Sequence, residues 1–348
     1  MLRFLSLTLA TLALVLSACG GDDDGEGSDT LRLLTHDSFL IDEGVIEQFE
    51  AEQGVEVEII QGGDAGSVVN SAILNAGNPV ADVLFGVDNT FLGRALEAEL
   101  FVEYVSPELE NVDDRFELSE FVTPIDYGYV NLNYDVEGLQ AEGLDPPETL
   151  EEILAPEWNG LLVAENPATS SPGLAFLAAT VAYFGEDDDY DYLDYWSDLR
   201  ANGLEVTDDW TTAYYTSFSR YGGDNPLVVS YTTSPACEVI FAETPIDEPP
   251  TGNVLPPQGS FEQIEFAGIL AGTENEELAG EFIDFMLSET FQEAFPDDMC
   301  VFPVRDGVTL PEAFEFAQPP ERPADIDFET IDENRDEWIE AWIGVVLR

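Results

Sequence analysis

The apolar residues of this chain switch repeatedly between two spacings, and that switching limits the folds open to it. Residues 31–34 are a short apolar run of strand character. Val45, Ile46 and Phe49 then recur at helical spacing, and Gly54 ends that helix. Val55, Val57 and Ile59 alternate with Glu56 and Glu58, which is strand spacing. Val68, Val69, Ala72, Ile73 and Ala76 return to helical spacing, with Gly77 as terminator. Residues 80–87 are strand-like and 91–100 helix-like. Strands alternating with helices predict an α/β fold on a mostly parallel sheet with helices on both faces. Ligands of such sheets bind at the carboxyl ends of strands, in the turns that lead into helices.

A second unit follows. Residues 127–134 are rich in aromatic and branched side chains and read as a strand. Residues 160–164 form another, ending at Glu165-Asn166-Pro167, and 174–184 a helix. Residues 204–207 and 227–231 are further strands. Leu278, Phe282, Phe285, Met286 and Phe291 mark a later amphipathic helix, and Trp338, Trp342 and Val345 or Val346 a C-terminal one. The Pro-rich stretches at 245–257 and 319–323 read as surface loops.

The N-terminus sets the compartment. Arg3 precedes an apolar run, 4–16, that is shorter than the roughly 20 residues a spanning helix needs. It ends Leu16-Ser17-Ala18-Cys19, a secretory signal of the bacterial lipoprotein kind. Residues 1–18 are therefore expected to be removed and the Cys19 thiol lipidated. Residues 20–29 carry no apolar side chain, so 19–30 is expected to be an acidic flexible tether. An exported body held by lipid alone, at the outer face of the cytoplasmic membrane or in the periplasm, suits a capture protein.

Asp and Glu number 73 against 10 Arg, giving a formal charge of −63. The acids are spread along the whole chain while the hydrophobic fraction stays at 45%. Two readings fit: a surface that binds acids or metals, or a globular protein whose hydrated carboxylates suit concentrated salt. The even spread favours the second. No basic patch exists to neutralise phosphates, which excludes nucleic acid as a partner. With Cys19 committed to lipid, Cys237 and Cys300 remain in a compartment that permits disulfides, and a pair is expected over two buried free thiols. Its closure of a long loop is worth roughly 4 kcal/mol in the chain-entropy model.

Four segments sit where a cleft is expected. Thr35-His36-Asp37-Ser38-Phe39 follows the first strand and holds the only histidine. His36 either contacts ligand or plays a local structural part; one His without a cysteine cluster is a poor metal site, and neither metal nor cofactor is expected. Gly62-Gly63-Asp64-Ala65-Gly66-Ser67 opens a helix, where Asp64 faces a cation or caps the helix. Gly86-Val87-Asp88-Asn89 carries the same ambiguity. Thr169-Ser170-Ser171-Pro172 is either a phosphate seat or a plain capped helix. Trp210, Tyr214, Tyr215 and Tyr221 precede a strand ending Ser230-Tyr231-Thr232-Thr233-Ser234-Pro235. Rings beside carboxylates suit a flat organic cation, with cation–π attraction worth up to about 2 kcal/mol when desolvated. No spacing singles out two carboxylates as an acid–base pair, so no enzyme is expected.

Together these strings resemble the thiamine-binding solute receptors of bacterial ABC transporters. The resemblance rests on THDSF (35–39), ADVLFGVDN (81–89), PIDYGYVNLNYD (124–135), NPATSSPGL (166–174), SYTTSPA (230–236), TLPEAF (309–314) and EWIEAW (337–342). It implies an α/β, two-lobed class II periplasmic-binding-protein fold with mixed sheets and hinge crossings near 123–126 and 231–235. Lobe one would comprise 31–123 plus 236–310 and lobe two 124–235, with 311–348 a C-terminal helical segment of unassigned lobe. A monomer would bind thiamine, or its mono- or diphosphate, between the lobes and deliver it to an ABC permease. A ferric-ion or polyamine receptor of the same fold is the alternative; Tyr214-Tyr215 is the kind of pair that iron receptors use. The resemblance places the ring-stacking pair on Trp210 and Tyr231, the carboxylate near the cationic ring on Asp64, and a hydroxyl-rich turn on Thr169, Ser170 and Ser171. His36, Ser67, Asp88 and Tyr214 complete the expected ligand-binding set. The chain departs from the family where His36 replaces a usual Tyr, Cys300 a stacking Trp, and Cys237 an aromatic.

Overall fold

The structure is a computed structural model that describes residues 30–186 and 189–348. The expected signal, Cys19 and the expected tether up to residue 29 therefore lie outside the described residues, while Thr30, expected in the tether, begins a strand. Among the described residues, ten strands form one sheet: β1 (Thr30–Thr35), β2 (Glu56–Gln61), β3 (Val83–Asp88), β4 (Thr123–Asp135), β5 (Leu162–Glu165), β6 (Glu205–Thr207), β7 (Leu227–Tyr231), β8 (Thr251–Val254), β9 (Phe261–Ile269) and β10 (Phe302–Pro303). Their order is β2-β1-β3-β9-β4-β7-β5-β6, with β8 and β10 also on β4.

The helices are α1 (Glu43–Gln53), α2 (Ala65–Leu74), α3 (Leu92–Glu97), α4 (Val136–Glu142), α5 (Ser171–Phe184), α6 (Tyr192–Ala201), α7 (Trp210–Thr212), α8 (Ser234–Ile240), α9 (Glu276–Met286), α10 (Glu289–Asp298) and α11 (Phe328–Val346). Among the described residues, no helix is long and apolar enough to cross a membrane.

Only the two ends of the sheet are parallel. β1 pairs with β2 and β3, and β5 with β6 and β7, in parallel, as successive β–α units require. The centre is antiparallel because β4 and β9 carry the chain between the two halves. The mostly parallel sheet expected from helix–strand alternation is thus a mixed one.

β4 runs unbroken through both lobes. Its first half, 123–130, pairs with β9, and its second half, 130–134, with β7. A register shift between Pro124 and Asp126 marks where it enters. β8 pairs with Leu132–Asp135 of β4, beside the stretch that carries β7. Residues 251–254 therefore form a strand within the Pro-rich stretch, 245–257, expected to be a surface loop. The cause is a short strand whose neighbours, Pro249, Pro250, Pro256 and Pro257, read only as loop.

One continuous hydrophobic core runs through both lobes, with an aromatic group in each. In the first, Phe49 meets Phe282 and Phe285 at 5.0 and 5.3 Å, and Phe295 meets Phe291 at 4.9 Å. In the second, Phe176 meets Trp196 at 5.8 Å. α11 joins the two. Trp342 packs edge-on against Trp196 of α6 at 5.5 Å, while Arg335 lies 4.8 Å over the Phe91 ring, beside α3. Both tryptophans are buried. Burial of the Trp342 ring, worth at least about 2 kcal/mol, holds α11 on α6, and the Arg335–Phe91 contact holds it on the other side.

Candidate functional site

A cavity of about 280 Å³ opens between the lobes at the carboxyl ends of the strands. From the first lobe come the loop after β1 (His36, Asp37, Ser38), Asp64 before α2, and the segment 298–301 after α10. From the second come Ser171 and Pro172 of α5, Trp210 and Tyr231. Asp126 of β4, with Gln263 and Glu265 of β9, lies on the central strands.

The rings form one wall. Trp210 stacks on Tyr214, with centroids 5.1 Å apart and planes 23° apart. Tyr231 meets Trp210 edge-on at 6.0 Å, and Tyr215 does so at 5.6 Å. The Trp210 indole N–H donates to Ser230 Oγ at 2.9 Å, which fixes the ring. Gln263 Nε2 lies 3.5 Å from the Tyr231 hydroxyl.

Two acids lie on the central strands. Asp126 and Glu265 stand in register on neighbouring strands, both buried. Burial first, and then the Glu265 charge, push the Asp126 carboxyl well above its ordinary value. His36 Nε2 lies 3.7 Å from Glu265 Oε2. Burial alone would lower the imidazole pKa; Glu265, helped by Asp64 and Asp37, reverses this and raises it. His36 can pack here because Gly86, at φ 95°, presents no Cβ to its ring. Among the described residues that line the cavity, His36 is the only basic one.

Asp64 does something that its sequence position hides. It precedes α2 but makes no side-chain cap there. Instead its Oδ1 accepts from the Ser171 backbone N–H, and its Oδ2 from that of Trp210, each at 3.0 Å. Both donors belong to the other lobe. Alongside, the Ser67 backbone N–H donates to the Thr169 carbonyl at 3.1 Å. Gly66 permits this approach, since a Cβ there would meet Thr169 and Phe91. Asp64 thus joins the lobes across the cleft.

Of the residues singled out in the sequence, the structure brings His36, Asp64, Ser171, Trp210 and Tyr231 to the cavity wall. Five others lie elsewhere. Ser67 is engaged through its backbone at the lobe contact. Asp88 is buried and accepts from the Thr90 N–H, the Thr90 hydroxyl and the Phe91 N–H, so it caps a turn. Thr169 Oγ1 donates to the Asp208 carbonyl at 2.7 Å, and Ser170 is fully buried at the N-cap of α5. Tyr214 lies behind Trp210 and donates to Glu238 at 3.0 Å. It lines a side chamber that shares Trp210, Tyr215 and Cys237 with the main cavity. Sequence reasoning missed Asp126, Glu265 and Gln263. Their signal was a polar residue inside an apolar strand, as in Ile264-Glu265-Phe266. Cys237 and Cys300 are joined by a disulfide, Cα–Cα 5.8 Å, on the cavity wall.

Residues 78–334 match the family of bacterial extracellular solute-binding proteins. This chain belongs to that family. Within it, the chain is 32% identical over 323 residues to the thiamine-binding periplasmic protein of Escherichia coli (strain K12), covering 91% of this chain and 94% of that one. It is 29% identical to the thiamine-binding periplasmic protein of Brucella suis biovar 1 over all of both chains. A solved periplasmic thiamin binding protein superposes with a TM-score of 0.81 at 30% identity, covering 92% of this chain and 96% of that one. The two-lobed fold is therefore that of periplasmic binding proteins. Iron uptake protein A1 of Synechocystis is more distant, at 24% identity. The Tyr214-Tyr215 pair is split here: only Tyr215 lines the main cavity. Among the described residues, no group of three or more His, Cys, Asp or Glu is placed to hold a metal ion.

Proposed function

We propose that this solute-binding protein captures thiamine, or its mono- or diphosphate, between its lobes and delivers it to an ABC permease. The observation that carries this reading is the pairing of an aromatic wall with buried carboxylates in one interlobe cavity. Thiamine has a flat aminopyrimidine and a permanently charged thiazolium. Trp210, Tyr215 and Tyr231 offer ring faces and edges, while Glu265 offers negative charge in a water-poor setting where it counts most, beside the Asp126 carboxyl that burial keeps protonated. Names of relatives at about 30% identity over nearly the full length support the same ligand.

The protein acts as a monomeric receptor and not as an enzyme, anchored outside the cytoplasm through lipid on Cys19. Mass analysis of membrane-extracted protein tests the anchor: an acylated N-terminal cysteine is expected, and an unmodified chain beginning elsewhere contradicts it. For the site, Trp210→Ala and Tyr231→Ala are each expected to weaken thiamine binding by at least about tenfold. Glu265→Gln is expected to weaken it by a similar factor while leaving a neutral aminopyrimidine fragment unaffected. Unchanged affinity in all three variants overturns the site assignment.

A further inference from the structure

Cys237 and Cys300 belong to segments held by opposite lobes. Cys237 sits in α8 beside Glu238. That carboxylate accepts from the Tyr214 hydroxyl at 3.0 Å, the Tyr221 hydroxyl at 2.9 Å and Arg220 Nε at 3.0 Å. All three donors lie in the second lobe, between β6 and β7. At the start of α8, the Ser234 hydroxyl lies 2.9 Å from that of Ser230 and accepts from the Tyr231 N–H at 3.3 Å. α8 is therefore tied to the second lobe, and its Ala236 also packs with Phe302 and Phe314, so the disulfide reinforces a contact that α8 already makes with the segment after Cys300.

Cys300 is tied to the first. The Leu40 N–H donates to Met299 Sδ at 3.1 Å, and the Asp42 N–H to Asp298 Oδ2 at 2.8 Å. Phe295 of α10 packs on Phe39 and Phe85 at 6.3 and 5.9 Å. Just beyond Cys300, β10 joins β4, with Phe302 opposite Tyr127. The disulfide therefore crosses from lobe to lobe next to the strand they share. Both of its cysteines line the cavity.

We propose that the Cys237–Cys300 disulfide is an interlobe strap that limits how far the cleft opens and so slows ligand release. Lobes of this kind close around ligand by rotating about a few hinge residues. A covalent link beside the hinge does not seal the mouth, but it removes the widest-open conformations from the ensemble. The remaining states are closer to the closed form, so the fraction competent to hold ligand rises. Cys237 is half-buried at the cavity wall, within reach of a small dithiol. Such a dithiol breaks the S–S bond by exchange. It gives two electrons and two protons to the cysteines and becomes a disulfide itself.

Small-angle scattering of the ligand-free protein tests the strap without reference to any ligand. The oxidised protein, the same protein reduced with dithiothreitol, and C237S/C300S are compared in concentrated salt, with circular dichroism to confirm the fold. A larger radius of gyration is expected for the reduced and serine forms, returning to the original on reoxidation. Equal radii in all three forms overturn the proposal, as does a mass map showing free thiols in the oxidised protein. If the serine variant does not fold, the reduced and reoxidised protein decides. The second arm rests on the thiamine reading: stopped-flow dissociation of thiamine is expected to be about threefold faster or more in the reduced form. Failure of thiamine to bind at all removes that reading but leaves the scattering comparison standing.

Discussion

Replacing Asp64 isolates the energy of cleft closure. In the closed protein its buried carboxylate is the acceptor for two backbone N–H groups of the opposite lobe, each at 3.0 Å. When the cleft opens, those N–H groups meet water and need no carboxylate. The cost of removing the acceptor therefore falls on the closed state alone. A buried donor left without a partner costs about 1–3 kcal/mol, so Asp64→Ala is expected to disfavour closure by about 3 kcal/mol for the two together. Where binding requires closure, this appears as a loss of roughly 100-fold in affinity, since each 1.4 kcal/mol is a factor of ten. Asp64→Asn keeps one acceptor oxygen and turns an NH2 toward the other donor, so a loss of about tenfold is expected. The assay is titration calorimetry with thiamine in concentrated salt, with thermal melts of the free proteins as control. Melting temperatures are expected to change little, because the open form lacks these bonds. A dissociation constant within about twofold of the wild type in both variants would refute the bridging role.

Two further expectations concern stability. Burial holds Asp126 well above its ordinary pKa and raises Asp88 to about 7, while Glu265 raises His36 against its burial. In each case the folded chain keeps a proton that the unfolded chain has released. For the acids the penalty begins near pH 4 and is complete once pH exceeds the folded value; for His36 the contribution is lost as pH rises through its raised value. The unfolding midpoint is therefore expected to fall from pH 5 to pH 8, and a midpoint that rises over this range contradicts the assignment. With a formal charge of −63, the folded state carries strong self-repulsion that salt screens. The midpoint is expected to rise by about 5 °C or more between 0.1 and 2 M KCl, and calorimetric scans showing no salt dependence would remove the salt-adaptation reading.

The parts of this protein legible in its sequence are those set by local spacing. Alternation of period two and period 3.6 marks β1 to β3 and the helices between them, and the turns after those strands supply His36 and Asp64 to the cavity. Clustering marks the aromatic segment 210–231 as a whole; it is the family resemblance that singles out Trp210 and Tyr231, both of which line the cavity. What stayed hidden depends on partners far away in the chain. Asp64 reads locally as a helix cap, yet its donors lie 107 and 146 residues further on. Asp126 and Glu265 look unremarkable until β4 and β9 bring them into register. Asp88 and Thr169 have the right residue types in the right turns, but each is consumed by a neighbouring backbone group. The C-terminal helix carries its tryptophans at helical spacing, but only the three-dimensional fold shows that it touches both lobes. A cysteine count suggests a pair; it does not say that the pair spans the cleft.

Titration calorimetry of the soluble protein from about Ser28 onward, in concentrated salt, tests the central claim most directly. Thiamine, its mono- and diphosphate, and ferric citrate are titrated in turn. Saturable one-to-one binding of a thiamine form, weakened in Trp210→Ala and Tyr231→Ala, is expected. Heat from ferric citrate alone, with none from any thiamine form, would contradict it.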